Sequence, residues 1–148
     1  MIKLDDRAHR ELAIWAANCA EHILFRFEAQ YQNDTRVRDA IEAARSWSIG
    51  NLKISEARKF AFASHAAARN ASQPESIAAA RSAGHAAATA HSANHARYAA
   101  IYAAKASPNP KAEIEWQWSQ LPENMKPKIE PYSSCFTKTK HTNDQNKK

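Results

Sequence analysis

Between Pro74 and Ala106 the chain reads PESIAAARSAGHAAATAHSANHARYAAIYAAKA, and its larger side chains fall on a three-and-four rhythm. Ile77, Arg81, Gly84, Ala88, His91, His95, Tyr98 and Tyr102 follow one another at that spacing, which places them on one face of a continuous helix. Ser82, Thr89, Asn94 and Lys105 lie opposite, as an exposed face requires. Alanine costs no side-chain entropy in a helix and lets backbones approach closely, so the stretch suits the buried centre of a tight bundle. Pro74 is a first-turn residue, and Ser107-Pro108-Asn109-Pro110 must end the helix. Either one rod or two helices broken near Gly84 satisfies the pattern.

The same periodicity recurs on both sides. Asp5 or Asp6 caps a first helix whose apolar residues are Leu12, Trp15, Ala16, Cys19, Ile23 and Phe27, widened by Leu24, Phe25 and Tyr31. Its bulky side chains are expected to fit against alanine-lined neighbours. Asn33-Asp34-Thr35 is a loop and cap, after which Val37, Ile41, Ala44 and Trp47 define a second helix ending near Gly50. A third runs from about Ser55 to Asn70 on Ala57, Phe60, Ala61, Ser64, His65 and Ala68. Lys111 to Leu121 predicts a short helix with Ile114, Trp118 and Leu121 on one side and Trp116 on the other. Residues from Ala40 to Ala71 resemble those from Ser76 to Ser107 at an offset of thirty-six, a sign of a duplicated helical hairpin.

Composition narrows the fold. Only two glycines, Gly50 and Gly84, are present, too few for phosphate-cradling loops, dinucleotide fingerprints or hairpin turns. Val37 is the sole valine, so strand formers are scarce and an all-α fold is expected: a compact bundle of about five alanine-rich helices. The 148 residues are enough to bury a core without metal or disulfides. One domain over 1–126 and a flexible basic tail over 127–148 are expected, the residues from Ser133 onward offering little to bury. Cys19 and Cys135 are too few for a disulfide framework, and no secretory leader or membrane-spanning segment is visible, so a reducing cytoplasm fits.

The formal charge of +6 is uneven, with +3 in the last eleven residues, where Lys138, Lys140, Lys147 and Lys148 stand against Asp144. A basic tail is ordinarily a solvated end, and nucleic acid is not the expected partner in the absence of aromatic platforms beside the lysines. No serine, cysteine or lysine has the neighbours of a nucleophile, and no carboxylate pair suggests acid and base roles, so an enzyme is unsupported. His91 and His95, one turn apart, have the spacing of helical zinc ligands, with His65 or Glu56 as a third. In a continuous helix His85 points away from them. Against that metal reading stands a structural one, in which His65, His85, His91 and His95 are hydrogen-bonding fasteners between helices and no cofactor is needed. Arg45, Arg58, Arg69 and Arg81 can clamp anions or pair with Glu42, Glu56 and Glu75. Trp116 and Trp118 diverge by about 200° on a helix, so one of them, or both if the helix is peripheral, is a candidate anchor for a partner protein, with Arg69 and Arg81 as further candidates.

The ordered motifs WAANCAEHIL at Trp15, RDAIEAARSW at Arg38, EARKFAFASHAAAR at Glu56 and AARSAGHAAATAHSANHARYAAIYAAKA at Ala79, closed by WQWSQLPE at Trp116, resemble the Imm-five-like family of bacterial immunity proteins from Asp5 to Leu121. The chain departs from that pattern after Met125, where Lys126-Pro127 replaces a helical continuation. The resemblance implies a helical, cytoplasmic, non-catalytic protein made alongside a toxin, whose producer it protects by occluding the toxin's active site or locking it inactive. It leaves open whether His65, Arg69, Arg81, His85, His91 and His95 form a core network or face the toxin. The basic charge disfavours a nuclease target, because inhibitors of nucleases present acidic surfaces, and favours a partner that is acidic or neutral where it is bound.

Overall fold

The structure, a computed structural model, describes residues 5–129; the expected tail lies, from residue 130 onward, outside the described residues. The fold is all-α, with no strand among the described residues. Its elements are α1 (Asp6–His22), the single turn α2 (Phe25–Glu28), α3 (Arg36–Ser48), α4 (Ile54–Asn70), α5 (Pro74–Ala88), α6 (His95–Ala106), α7 (Pro110–Gln120) and a closing 3-10 helix, Glu123–Ile129.

Local chemistry sets most boundaries. The Asp5 carboxylate accepts from the Ala8 amide at 2.7 Å and starts α1. The chain turns at Ile23 and Leu24 and drives Phe27 of α2 fully into the core, which leaves Phe25 55% exposed rather than on the apolar stripe. Gly50, at φ +82°, ends α3 with the Gly50 amide bonded to the Trp47 carbonyl and the Asn51 amide to the Ser46 carbonyl. That pair of bonds needs a left-handed residue, which glycine supplies without strain. Pro74 opens α5, and Asn109 and Pro110 open α7.

The long alanine-rich stretch is two helices, and Gly84 is not where they part. The break covers residues 89–94. There the run TAHSAN offers side chains that compete for backbone groups, and the Thr89 hydroxyl folds back onto the His85 carbonyl at 3.0 Å. His9 of α1 hydrogen-bonds the Thr89 carbonyl through Nε2 while its ring leans on Trp47, 4.7 Å away, so α1 and α3 together fix the end of α5.

Helix α5 packs against α1, α2, α3, α4 and α6 and is the central element. It buries Ala78, Ala79, Ala80, Ala83, Ala86 and Ala87, around which Trp15, Phe27, Ile41 and Met125 supply bulk. Ser82 and Thr89, expected on an exposed face, are wholly buried. Their hydroxyls, like those of Ser64 and Ser76, donate to carbonyls, so burial strands none of these four groups. The bonds run from Ser82 to Ala99, from Ser64 to Ala80 and from Ser76 to Arg26, each at 2.7–2.8 Å. A hydroxyl that small fits between helices in alanine contact and joins each to the next. The internal similarity falls on the successive pairs α3–α4 and α5–α6.

Candidate functional site

Three helix segments meet around the imidazoles. On α4, Arg58, Phe62 and His65 follow one another at four and three residues and so share a face. Across from them, α5 presents Arg81, Gly84 and His85, and the break with the start of α6 presents His91, His95, Tyr98 and Tyr102. The break brings His85 into the group, where a continuous helix would have turned it away.

The geometry fixes proton positions. Arg81 Nη1 lies 2.8 Å from His65 Nδ1, and because a guanidinium only donates, that nitrogen accepts and the ring proton sits on Nε2. His85 and His95 face each other Nδ1 to Nδ1 at 3.0 Å, so one donates and the other accepts. Aromatic faces hold His85 in place: Tyr102 stacks at 5.4 Å and 7°, and His65 meets it edge-on at 5.0 Å. Burial, with Arg81, Arg69 and His95 nearby, holds His65 down at about 4, and burial with His65, His95 and Arg81 holds His85 at about 3. Burial and His91 lower His95 as well. His65, His85 and His95 are therefore uncharged at neutral pH.

Gly84 is inside α5 for the sake of this cluster. A β-carbon there would lie 2.7 Å from His65 Cε1 and Nε2, so only glycine leaves the ring its seat.

Beside the cluster a cleft of about 150 Å³ opens to solvent, lined by Arg58, Ala61, Phe62, His65, Ala88, His91 and His95. Phe62 stands at its rim 63% exposed, and the Arg58 guanidinium lies 5.9 Å from that ring's centre. Among the described residues no carboxylate pairs with Arg58, Arg69 or Arg81, so the pairing expected of them with Glu42, Glu56 and Glu75 does not form. Arg45 reaches Glu21 and Asn18 of α1 instead, and Glu56 accepts from the Lys53 amide at the start of α4.

The reading of His65, His91 and His95 as metal ligands finds no support. Among the described residues no three His, Cys, Asp or Glu side chains are arranged to hold an ion. The Nδ1 atoms of His65 and His95 are already taken, by Arg81 and by His85.

The tryptophan candidates lie elsewhere, on α7. Trp116 stacks on His22 at 3.6 Å and 14°, and His22 Nδ1 is within 2.6 Å of the buried Glu113 carboxylate. Trp118 packs against the core on the other side, with Lys126 Nζ 5.8 Å from its ring. Both are half-buried. The buried positions of α7 are Glu113 and Gln117 rather than an Ile114 and Trp118 stripe, because polar groups dock this helix. Gln117 Nε2 donates to the Ala100 carbonyl and the Gln117 carbonyl accepts from Trp15 Nε1, both at 2.8 Å. Cys19 is fully buried nearby, its thiol pushed well up by burial and by Glu113. That environment makes it inert.

Sequence reasoning named Arg81 and the four histidines, which the structure unites, and Arg69, which acts on His65 through space from the exposed end of α4. Arg58 was named as a candidate anion clamp, but Phe62 beside it was not singled out as a rim residue, although its spacing from Arg58 and His65 carried the signal. The contact of His22 with Glu113 links residues far apart in the chain, and no local pattern announces it.

No helix among the described residues is long and apolar enough to cross a membrane. No curated protein and no solved structure matches the chain. The family model described as Imm-5 like putative immunity protein matches residues 3–124, a span that takes in α1 to α7, and the chain belongs to that family.

Proposed function

We propose that the protein binds a cognate bacterial toxin in the cytoplasm of the producing cell and neutralises it by covering or locking its active site, without catalysis. Family membership supports the general role. The single observation that carries the mechanism is the composition of the cleft: its polar groups are Arg58 and imidazoles, with no serine, cysteine, lysine or carboxylate among the lining residues for an imidazole to activate or pair with. Two of those imidazoles spend ring nitrogens on Arg81 and His85, which makes them parts of a rigid wall. Such a surface binds by shape and charge.

The test is co-expression with the toxin domain encoded beside this chain. Growth is restored, and the two proteins co-purify in equal amounts. Continued death against every neighbouring toxin, or rescue by far less protein than toxin, refutes the proposal.

A further inference from the structure

The cleft between α4 and the α5–α6 junction differs in charge organisation from the arginines of α1 and α3. There Arg7, Arg36, Arg38 and Arg45 pair with carboxylates of this chain, and among the described residues of the two helices the exposed Arg10 is the only arginine that does not. At the cleft, Arg58 meets only an aromatic ring, and Arg81 spends a donor on a neutral imidazole. The result is a face of donors without an internal anion. Complementarity asks for one from outside.

Size selects its form. Sites for small molecules and nucleotides occupy about 300–1,000 Å³, whereas this cleft holds about 150 Å³. One inserted side chain fills it. Ala61 and Ala88 give the lining an apolar part, and His65, His91 and His95 are on helices or at their junction. The Arg81 and Gly84 contacts hold His65, so little ordering accompanies insertion. At the mouth, Phe62 is 63% exposed. An exposed aromatic beside an arginine is the usual composition of an energetic centre in a protein interface.

We infer that this cleft is the docking surface for the toxin and that its occupant is an aspartate or glutamate side chain of that toxin, bound by Arg58 and the imidazoles of His65, His91 and His95 with Phe62 packed beside it. The assignment rests on the toxin-binding function proposed above and adds the surface and the recognised chemistry. A protein carboxylate is preferred to a nucleic-acid backbone because the cleft is closed to a base and its aromatic groups do not form a track for successive stacking.

The experiment uses the full chain and the purified toxin domain encoded beside it, with affinity measured for the wild type, Arg58→Glu, Phe62→Ala and Trp116→Ala after each has been shown to melt cooperatively. Arg58 and Phe62 are exposed, so their replacement leaves the core untouched. Arg58→Glu is expected to weaken binding at least about thirtyfold and Phe62→Ala about tenfold. One Asp or Glu of the toxin, reversed to Lys, should restore affinity for Arg58→Glu. Wild-type affinity for both cleft variants overturns the assignment while leaving toxin binding standing, and loss confined to Trp116→Ala moves the interface to α7. A wild-type chain that binds no toxin removes the function itself. Tight binding of a single-stranded oligonucleotide that Arg58→Glu abolishes, with toxin binding unaffected, gives the face to nucleic acid instead.

Discussion

Replacing Gly84 by alanine sets backbone propensity against packing, and the two predict opposite signs. Within a helix interior, Gly→Ala stabilises by about 1 kcal/mol through the unfolded chain. At this position the new β-carbon would sit 2.7 Å from two His65 ring atoms, where ordinary contact begins near 3.4 Å. The ring must retreat by several tenths of an ångström, and it cannot do so without stretching its 2.8 Å bond from Arg81. Overpacking and loss of a charged donor's bond together cost about 2 kcal/mol once the half-exposed position of the ring is allowed for. Net destabilisation of about 1 kcal/mol follows. The control is the same substitution in a His65→Ala background, where the space is open and only the propensity remains, so Gly84→Ala should stabilise by about 1 kcal/mol. Urea unfolding of the four proteins yields a coupling of about 2 kcal/mol. Equal stabilisation in both backgrounds would refute the claim that Gly84 exists to seat His65.

Stability should also fall with acid. His65 and His85 are held at about 4 and about 3 when folded, against about 6.5 when unfolded. The unfolded chain therefore binds more protons between these limits, so the stabilisation is complete above pH 6.5 and is lost as pH falls through 6.5 toward the folded values. Arg81, Arg69 and His95 surround the pair and oppose its charging. With solvent screening, about 1–2 kcal/mol is lost between pH 7 and pH 4; an unchanged urea midpoint, or imidazole nitrogen resonances that titrate near 6.5, contradicts this. In the core, Ala99→Leu should destabilise by about 3 kcal/mol or unfold the protein, since Ala99 is fully buried where Ser82 bonds its carbonyl across to α5, whereas Ser82→Ala should cost only about 1 kcal/mol. Comparable thermal shifts for the two would show that α5 and α6 are not in close contact.

The residue pattern alone determined that this chain is helical, where most helices start and stop, and that an alanine-rich element lies at the centre. These are consequences of local rules: propensity, the three-and-four period, caps such as Asp5, and the left-handed Gly50. The same period put Arg81, His91 and His95 on one face, and the family resemblance grouped them with His65, Arg69 and His85. The pattern failed where a side chain's fate depends on a neighbour distant in the chain. Ser82 and Thr89 look solvent-facing until carbonyls are found for their hydroxyls. Gly84 looks like a breaker until His65 of α4 is placed over it. The break at 89–94, anchored by His9, alone turns His85 toward His95. Tertiary packing decided these cases because a polar or missing side chain has no sign of its own; whether it is exposed, satisfied or occupied is set by the surface that closes over it.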